Sequence, residues 1–131
     1  MALDTLGRPR LLIAEDDVTL AATIRDVLEE DFAVHVTCNG TDTVAQARHQ
    51  RPDILVMDAR MPLMDGLEAC RALREDPETA DLPIIMVAGD SGQAMVGAAF
   101  AAGATDFMQK PFSISQLRAR AVTHVMRRRA R

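Results

Sequence analysis

Short apolar runs alternate five times along the chain with longer segments of helical periodicity. Residues 10–15, 33–37, 53–57, 83–88 and 105–109 have strand length. The richest of them, such as Leu11–Ala14 and Ile84–Val87, are continuously apolar, the pattern of strands covered on both faces of a parallel sheet. The intervening stretches 18–30, 41–50, 66–75, 92–102 and 113–128 predict helices, each long enough for a right-handed βαβ crossover. The expectation is an α/β fold with helices on both faces of the sheet. A length of 131 residues fits one domain, divided into a lead-in at 1–9, a folded body at 10–128 and a basic end at 129–131.

Local chemistry places several boundaries. Asp17 precedes Val18, Leu20, Ala21 and Ile24 and is expected to cap the first helix. Pro52 cannot continue the second helix, Pro83 suits a strand start, and Gly103 can take a positive φ after the fourth helix. In the last helix Ile114, Leu117, Ala121, Val122 and Val125 mark a buried stripe, which leaves Arg118 and Arg128 to solvent.

Composition narrows the partners. Trp and Tyr are absent and only four Phe occur, so aliphatic residues and Met must build the core. A net charge of −4 argues against direct nucleic-acid binding, and the one basic cluster, Arg127 to Arg131, suits the negative end of a helix dipole. Cys38 and Cys70 form no CxxC pair and read as small buried residues of a reduced, cytoplasmic protein. Met1 to Pro9 has no long apolar core, which predicts neither a signal peptide nor a membrane anchor. His35, His49 and His124 show no metal-ligand spacing and are expected at the surface.

The chemistry gathers at strand ends. The first strand runs into Glu15, Asp16 and Asp17, the third into Asp58, and the fifth into Lys110. Alone, such acids serve a helix dipole and such a lysine faces solvent. Strands one, three and five of a parallel sheet finish on one edge, however, where ligands bind, so Glu15, Asp16, Asp58 and Lys110 can converge there. Grouped carboxylates repel one another; a raised pKa or a bound cation relieves this, and hard oxygen ligands suit Mg²⁺.

Glu15-Asp16-Asp17, the stretch from Asp58 through Met61-Pro62 to Asp65-Gly66, and Lys110-Pro111-Phe112 together resemble the response-regulator receiver domain of bacterial two-component signalling. The resemblance implies a flavodoxin-like (βα)5 fold with a five-stranded parallel sheet of order 2-1-3-4-5. It implies that Asp58 accepts a phosphoryl group from a histidine kinase or phosphotransfer protein. Asp16, Asp58 and the backbone carbonyl of Arg60 would ligate Mg²⁺, Glu15 would act mainly through a water ligand, and Lys110 would pair with the phosphoryl oxygens. The chain would then be a phosphoacceptor that assists its own phosphorylation and dephosphorylation, not an enzyme. Its signal would pass to a target protein through the fourth helix, fifth strand and fifth helix. Asp65, read from the residues, is a turn or N-cap acid.

The pattern breaks at the end of the fourth strand, where the family carries Thr or Ser and this chain carries Ala88. A hydrogen bond to a charged group is worth roughly 1.5–3 kcal/mol, which sizes the coupling lost with the hydroxyl. Ser91 is a candidate substitute donor, and Phe107 occupies the family's aromatic switch position. The fourth helix has no charge between 92 and 104, so its exposed face should be apolar and fit for a partner. Asp106 and Arg120 match dimerising relatives, but the charged fourth-helix partners are missing, so any homodimer should be weak. An aspartyl-phosphate hydrolase needs an acid two residues after its nucleophile, where this chain has Arg60. No Gly-rich nucleotide fingerprint follows the first strand. The remaining alternative is a pseudo-receiver that binds proteins without phosphorylation.

Overall fold

The computed structural model describes residues 7–130. Its strands are β1 (Arg10–Ala14), β2 (Ala33–Thr37), β3 (Ile54–Asp58), β4 (Ile84–Ala88) and β5 (Asp106–Gln109). They alternate with helices α1 (Val18–Leu28), α2 (Gly40–Gln50), α3 (Gly66–Glu75), α4 (Gln93–Ala101) and α5 (Ile114–Arg129). All neighbouring strands pair in parallel, in the order β2-β1-β3-β4-β5. The chain reverses its direction of travel across the sheet between β1 and β3. That switch point opens a crevice at the carboxyl ends of these two strands, where Glu15 and Asp58 stand.

Every residue of β3 and β4 is buried, as continuous apolar strands in the middle of a covered sheet should be. Alternation along the strands divides the interior into two cores. Leu12, Leu55, Met57, Ile84 and Met86 face Ala47, Cys70, Leu73 and Ala99 of α2, α3 and α4. Leu11, Ile13, Ile54, Val56 and Ile85 face Ile24 and Leu28 of α1 and Leu117, Ala121 and Val125 of α5.

The helix starts follow the local chemistry. Asp17, Asn39, Asp65 and Ser113 each accept a first-turn amide, from Leu20, Asp42, Glu68 and Gln116 respectively. The caps expected at Asp17 and Asp65 therefore form. Gly103 takes φ +109 after α4, and a Cβ there would stand 2.5 Å from the Arg74 side chain, whose Nε donates to the Gly103 carbonyl at 2.8 Å.

Several expectations are corrected. Cys38 is exposed, because it lies in the bend just past the end of the edge strand β2. His124 is partly buried on Asp106, whereas His35 and His49 are exposed as expected. Arg118 lies in solvent against Asp31, but Arg128 is partly buried and donates to the carbonyls of Pro52 and Asp53. Helix α1 ends at Leu28, whose carbonyl accepts from the amides of both Asp31 and Phe32, so the expected end at 30 was two residues long. The lead-in expected at 1–9 falls mostly outside the described residues, as does Arg131 of the basic end. Its last residue is tied to the sheet, since the Pro9 carbonyl accepts from Ala33 N at 2.8 Å.

Candidate functional site

Three backbone bonds lock the strand ends that carry the site. Glu15 N donates to Thr37 O at 3.0 Å, Ala59 N to Val87 O at 2.9 Å, and Lys110 N to Ala88 O at 2.7 Å. The turn after β3 then folds back on Asp58: Gly66 N donates to Ala59 O, and a Cβ on Gly66 would lie 2.2 Å from the Asp58 carbonyl oxygen. Only glycine fits that approach. Met61 anchors the turn in the core, while Leu63 takes φ +68 and lies in solvent.

The side chains converge. Lys110 Nζ donates to Glu15 Oε1 at 2.6 Å and to Asp58 Oδ2 at 2.7 Å. The other oxygen of Asp58 accepts from Arg60 N at 3.0 Å, and Glu15 Oε2 accepts from Asp17 N at 3.1 Å. Glu15 and Asp58 are buried, Lys110 is partly buried, and Asp16 is exposed at the mouth. One carboxylate oxygen from each of Glu15, Asp16 and Asp58 lies within 4.8 Å of the others, a hard-oxygen set that fits a small divalent cation.

Electrostatics follow from this packing. Burial pushes the Glu15 carboxyl above its usual pKa, outweighing the Lys110 ammonium and the Asp17 amide, which lower it, and the nearby Asp58 charge adds to the rise. Burial alone would lower Lys110, yet its bonds to Asp58 and Glu15 prevail and hold the ammonium above its ordinary pKa. Three carboxylates and one cation leave a net negative pocket. Such a pocket attracts a metal ion and keeps Lys110 charged.

The four residues singled out at strand ends, Glu15, Asp16, Asp58 and Lys110, therefore meet in one place. Ala88 is buried beside them and has no hydroxyl, while the half-buried Phe107 ring packs against the α2–α3–α4 core. Ser91 stays exposed, and the polar bond of its loop is Asp90 Oδ1 accepting from Gly92 N at 2.8 Å. Helix α4 bears out its expected apolar surface, with Ala94, Gly97 and Phe100 exposed. Sequence reasoning missed two pairings. Lys110 grips Glu15 across 95 residues, and Asp106 holds His124 at 3.0 Å as well as Arg120 at 3.1 Å. The only sequence signal for the second was the spacing of Arg120 and His124, one helical turn apart.

Known proteins share these features. Residues 11–122 match the response regulator receiver domain. The phosphate regulon transcriptional regulatory protein PhoB of Rhizobium meliloti is 36% identical over 94% of the chain. The DNA-binding response regulator MtrA of Mycobacterium bovis is 35% identical over 90% of it. The chain spans about half the length of these curated relatives, 54% and 50%. Among solved structures, the receiver domain of the Francisella response regulator 1452 superposes with a TM-score of 0.85 at 26% identity, covering 92% of this chain and 98% of the other. The receiver domain of the sensor histidine kinase PA1611 of Pseudomonas aeruginosa, described with a magnesium ion coordinated in its active site cleft, gives 0.84 at 27% identity and covers 90% and 98%. With the expected strand order, the assembled acid–lysine pocket and this match in hand, the chain belongs to the response-regulator receiver domains of two-component signal transduction.

Proposed function

We propose that Asp58 is the phosphoacceptor, taking a phosphoryl group from the phosphohistidine of a histidine kinase or phosphotransfer protein. The observation that carries this reading is the Asp58 carboxylate, buried at a strand end, held by Arg60 N on one oxygen and by Lys110 on the other. A carboxylate oxygen forms the new O–P bond as the N–P bond of the donor breaks, and the imidazole leaves with the bonding electron pair. Charge spreads over the phosphoryl oxygens in such a transfer, so positioning and cations provide most of the catalysis. Lys110 is placed to follow that charge from the carboxylate to the phosphoryl group. Asp16, Asp58 and the backbone carbonyl of Arg60 would hold Mg²⁺, which supplies neutralising charge when bound. The magnesium in the PA1611 receiver supports that choice of ion.

The altered fourth-strand end bears on output. Ala88 offers the phosphoryl group no donor, so we infer that phosphorylation proceeds while its propagation toward Phe107 is weak. The proposed readers are proteins that contact α4, β5 and α5, where the apolar α4 face is exposed and any homodimer is weak. A net charge of −4 favours protein over nucleic-acid contact for this segment, and a cytoplasmic site agrees with that role. Among the described residues no helix is long and apolar enough to cross a membrane. A phosphorylation-independent binding module is the weaker reading, since it gives no reason to bury Glu15 and Asp58 around Lys110.

The test is intact mass after incubation with acetyl phosphate and Mg²⁺. Wild type should gain one phosphoryl group and Asp58→Asn none; an unlabelled wild type, or a labelled variant, contradicts the reading.

A further inference from the structure

We propose that a cleft at the amino-terminal edge of the sheet, between the last turns of α5 and the starts of β4 and β5, binds a phosphate monoester. Asp58 and its neighbours stand at the opposite, carboxyl edge, so this site is independent of the phosphoacceptor reading. The cleft has a volume of about 290 Å³ and is lined by Asp81, Pro83, Thr105, His124, Arg127 and Arg128. Its lining carries three basic side chains and one acid, in a chain whose net charge is −4.

The polar groups are set for an anion. Thr105 Oγ1 accepts from Ile84 N at 3.0 Å and from Arg74 Nη2 at 3.4 Å, so both of its lone pairs are used and only its proton remains to give. Arg127 is exposed and makes no ion pair or hydrogen bond among the described residues. Arg128 reaches Asp81 at 3.3 Å, a loose pair in which more than half of the Asp81 side chain lies in solvent. The neighbouring Asp106 adds no free negative charge, since His124 and Arg120 hold it at 3.0 and 3.1 Å. The helix dipole accounts for arginines in the last turn of α5, but not for a hydroxyl left with only a proton to donate. Asp81 is a weak internal stand-in for the ligand. A phosphate group brings about twice its charge and three acceptor oxygens to Arg127, Arg128 and Thr105. A second cleft of about 280 Å³ shares His124 and Arg127 with the first and extends over Ala119 and Thr123. It gives a small organic group a place beside the phosphate, which is why the assignment is a monoester.

The test is an amide NMR titration of metal-free protein with ribose 5-phosphate, inorganic phosphate and ribose. Ribose 5-phosphate should shift the amides of Asp81, Thr105, His124 and Arg127 and leave those of Glu15, Asp58 and Lys110 in place. Inorganic phosphate should shift the same amides with about tenfold weaker affinity, because it lacks the contacts of the organic group, and ribose should shift none. Arg127→Ala should raise the Kd for ribose 5-phosphate about tenfold, the scale of one charge-assisted hydrogen bond. Asp81→Asn should lower it about threefold by removing the competing carboxylate. Both substitutions fall on exposed side chains, so the fold is kept. No shifts, shifts confined to the Asp58 pocket, an unchanged Kd in Arg127→Ala or weaker binding in Asp81→Asn would overturn the site. Equal affinity for inorganic phosphate, or shifts with ribose alone, would overturn the monoester assignment.

Discussion

One buried carboxylate stands just before strand β3 and another ends it, and the two lead different lives. Asp53, 3% exposed at the amino end, accepts from Arg10 N at 2.8 Å, while its own carbonyl accepts from Arg128. Asp58, 6% exposed at the carboxyl end, faces Lys110 and two further acids. Burial is nearly equal, so burial does not distinguish the acid we propose as phosphoacceptor from one that serves the fold. The difference lies in the partners. Asp53 ties two strand starts together through the Arg10 amide, whereas Asp58 meets the charged side chains of Lys110, Glu15 and Asp16 at the edge of the sheet where the crevice opens.

Substitutions at the two ends should part cleanly. Asp58→Ala should abolish labelling by acetyl phosphate while changing stability little, because it also removes repulsion with Glu15. Asp53→Ala should leave labelling intact and cost about 1–3 kcal/mol in urea unfolding, since the Arg10 amide loses its partner. Labelling lost in the Asp53 variant would show that the ends are coupled.

Glycines sharpen the same contrast between constrained and open regions. Gly66→Ala should destabilise by about 1–3 kcal/mol or more and slow labelling, because its Cβ would collide with the Asp58 carbonyl 2.2 Å away. Gly97→Ala in α4 meets nothing within 4 Å and should stabilise the protein by about 1 kcal/mol, measured as a higher urea midpoint.

The smallest expected effect is electrostatic. Burial alone would raise the Asp106 carboxyl, but His124, the Phe107 amide and Arg120 together hold it below its usual value of 3.8. A depressed carboxyl adds stability above its unfolded pKa and loses it as pH falls through the folded value. Wild type should therefore lose more stability than Asp106→Asn below about pH 4, by less than about 1 kcal/mol, in unfolding curves at matched ionic strength.

Much of this was legible in the chain itself. Apolar runs bounded by Pro52, Pro83 and acids located the strands to within a residue or so, because a fully buried strand tolerates little else. Glu15, Asp16, Asp58 and Lys110 could be read together because parallel strands share one carboxyl edge. Side-chain direction and long-range pairing were not legible. Cys38 turns outward in the bend after an edge strand, Arg128 folds back over Pro52 and Asp53, and His124 reaches Asp106 from another element. Such contacts depend on how helices lie across the sheet, which residue types alone do not fix. The Glu15–Lys110 bond belongs to the same class, since each residue read alone points to a different partner.

If Asp58 is the phosphoacceptor, one carboxylate alone receives the phosphoryl group. Borohydride reduces an acyl phosphate to an alcohol, so treating the labelled protein and sequencing its peptides by mass spectrometry locates the modified residue directly. Homoserine in place of Asp58, and at no other acid of the pocket, is the predicted result. Homoserine at Asp16, 5-hydroxynorvaline at Glu15, or neither alcohol anywhere after labelling, would contradict it.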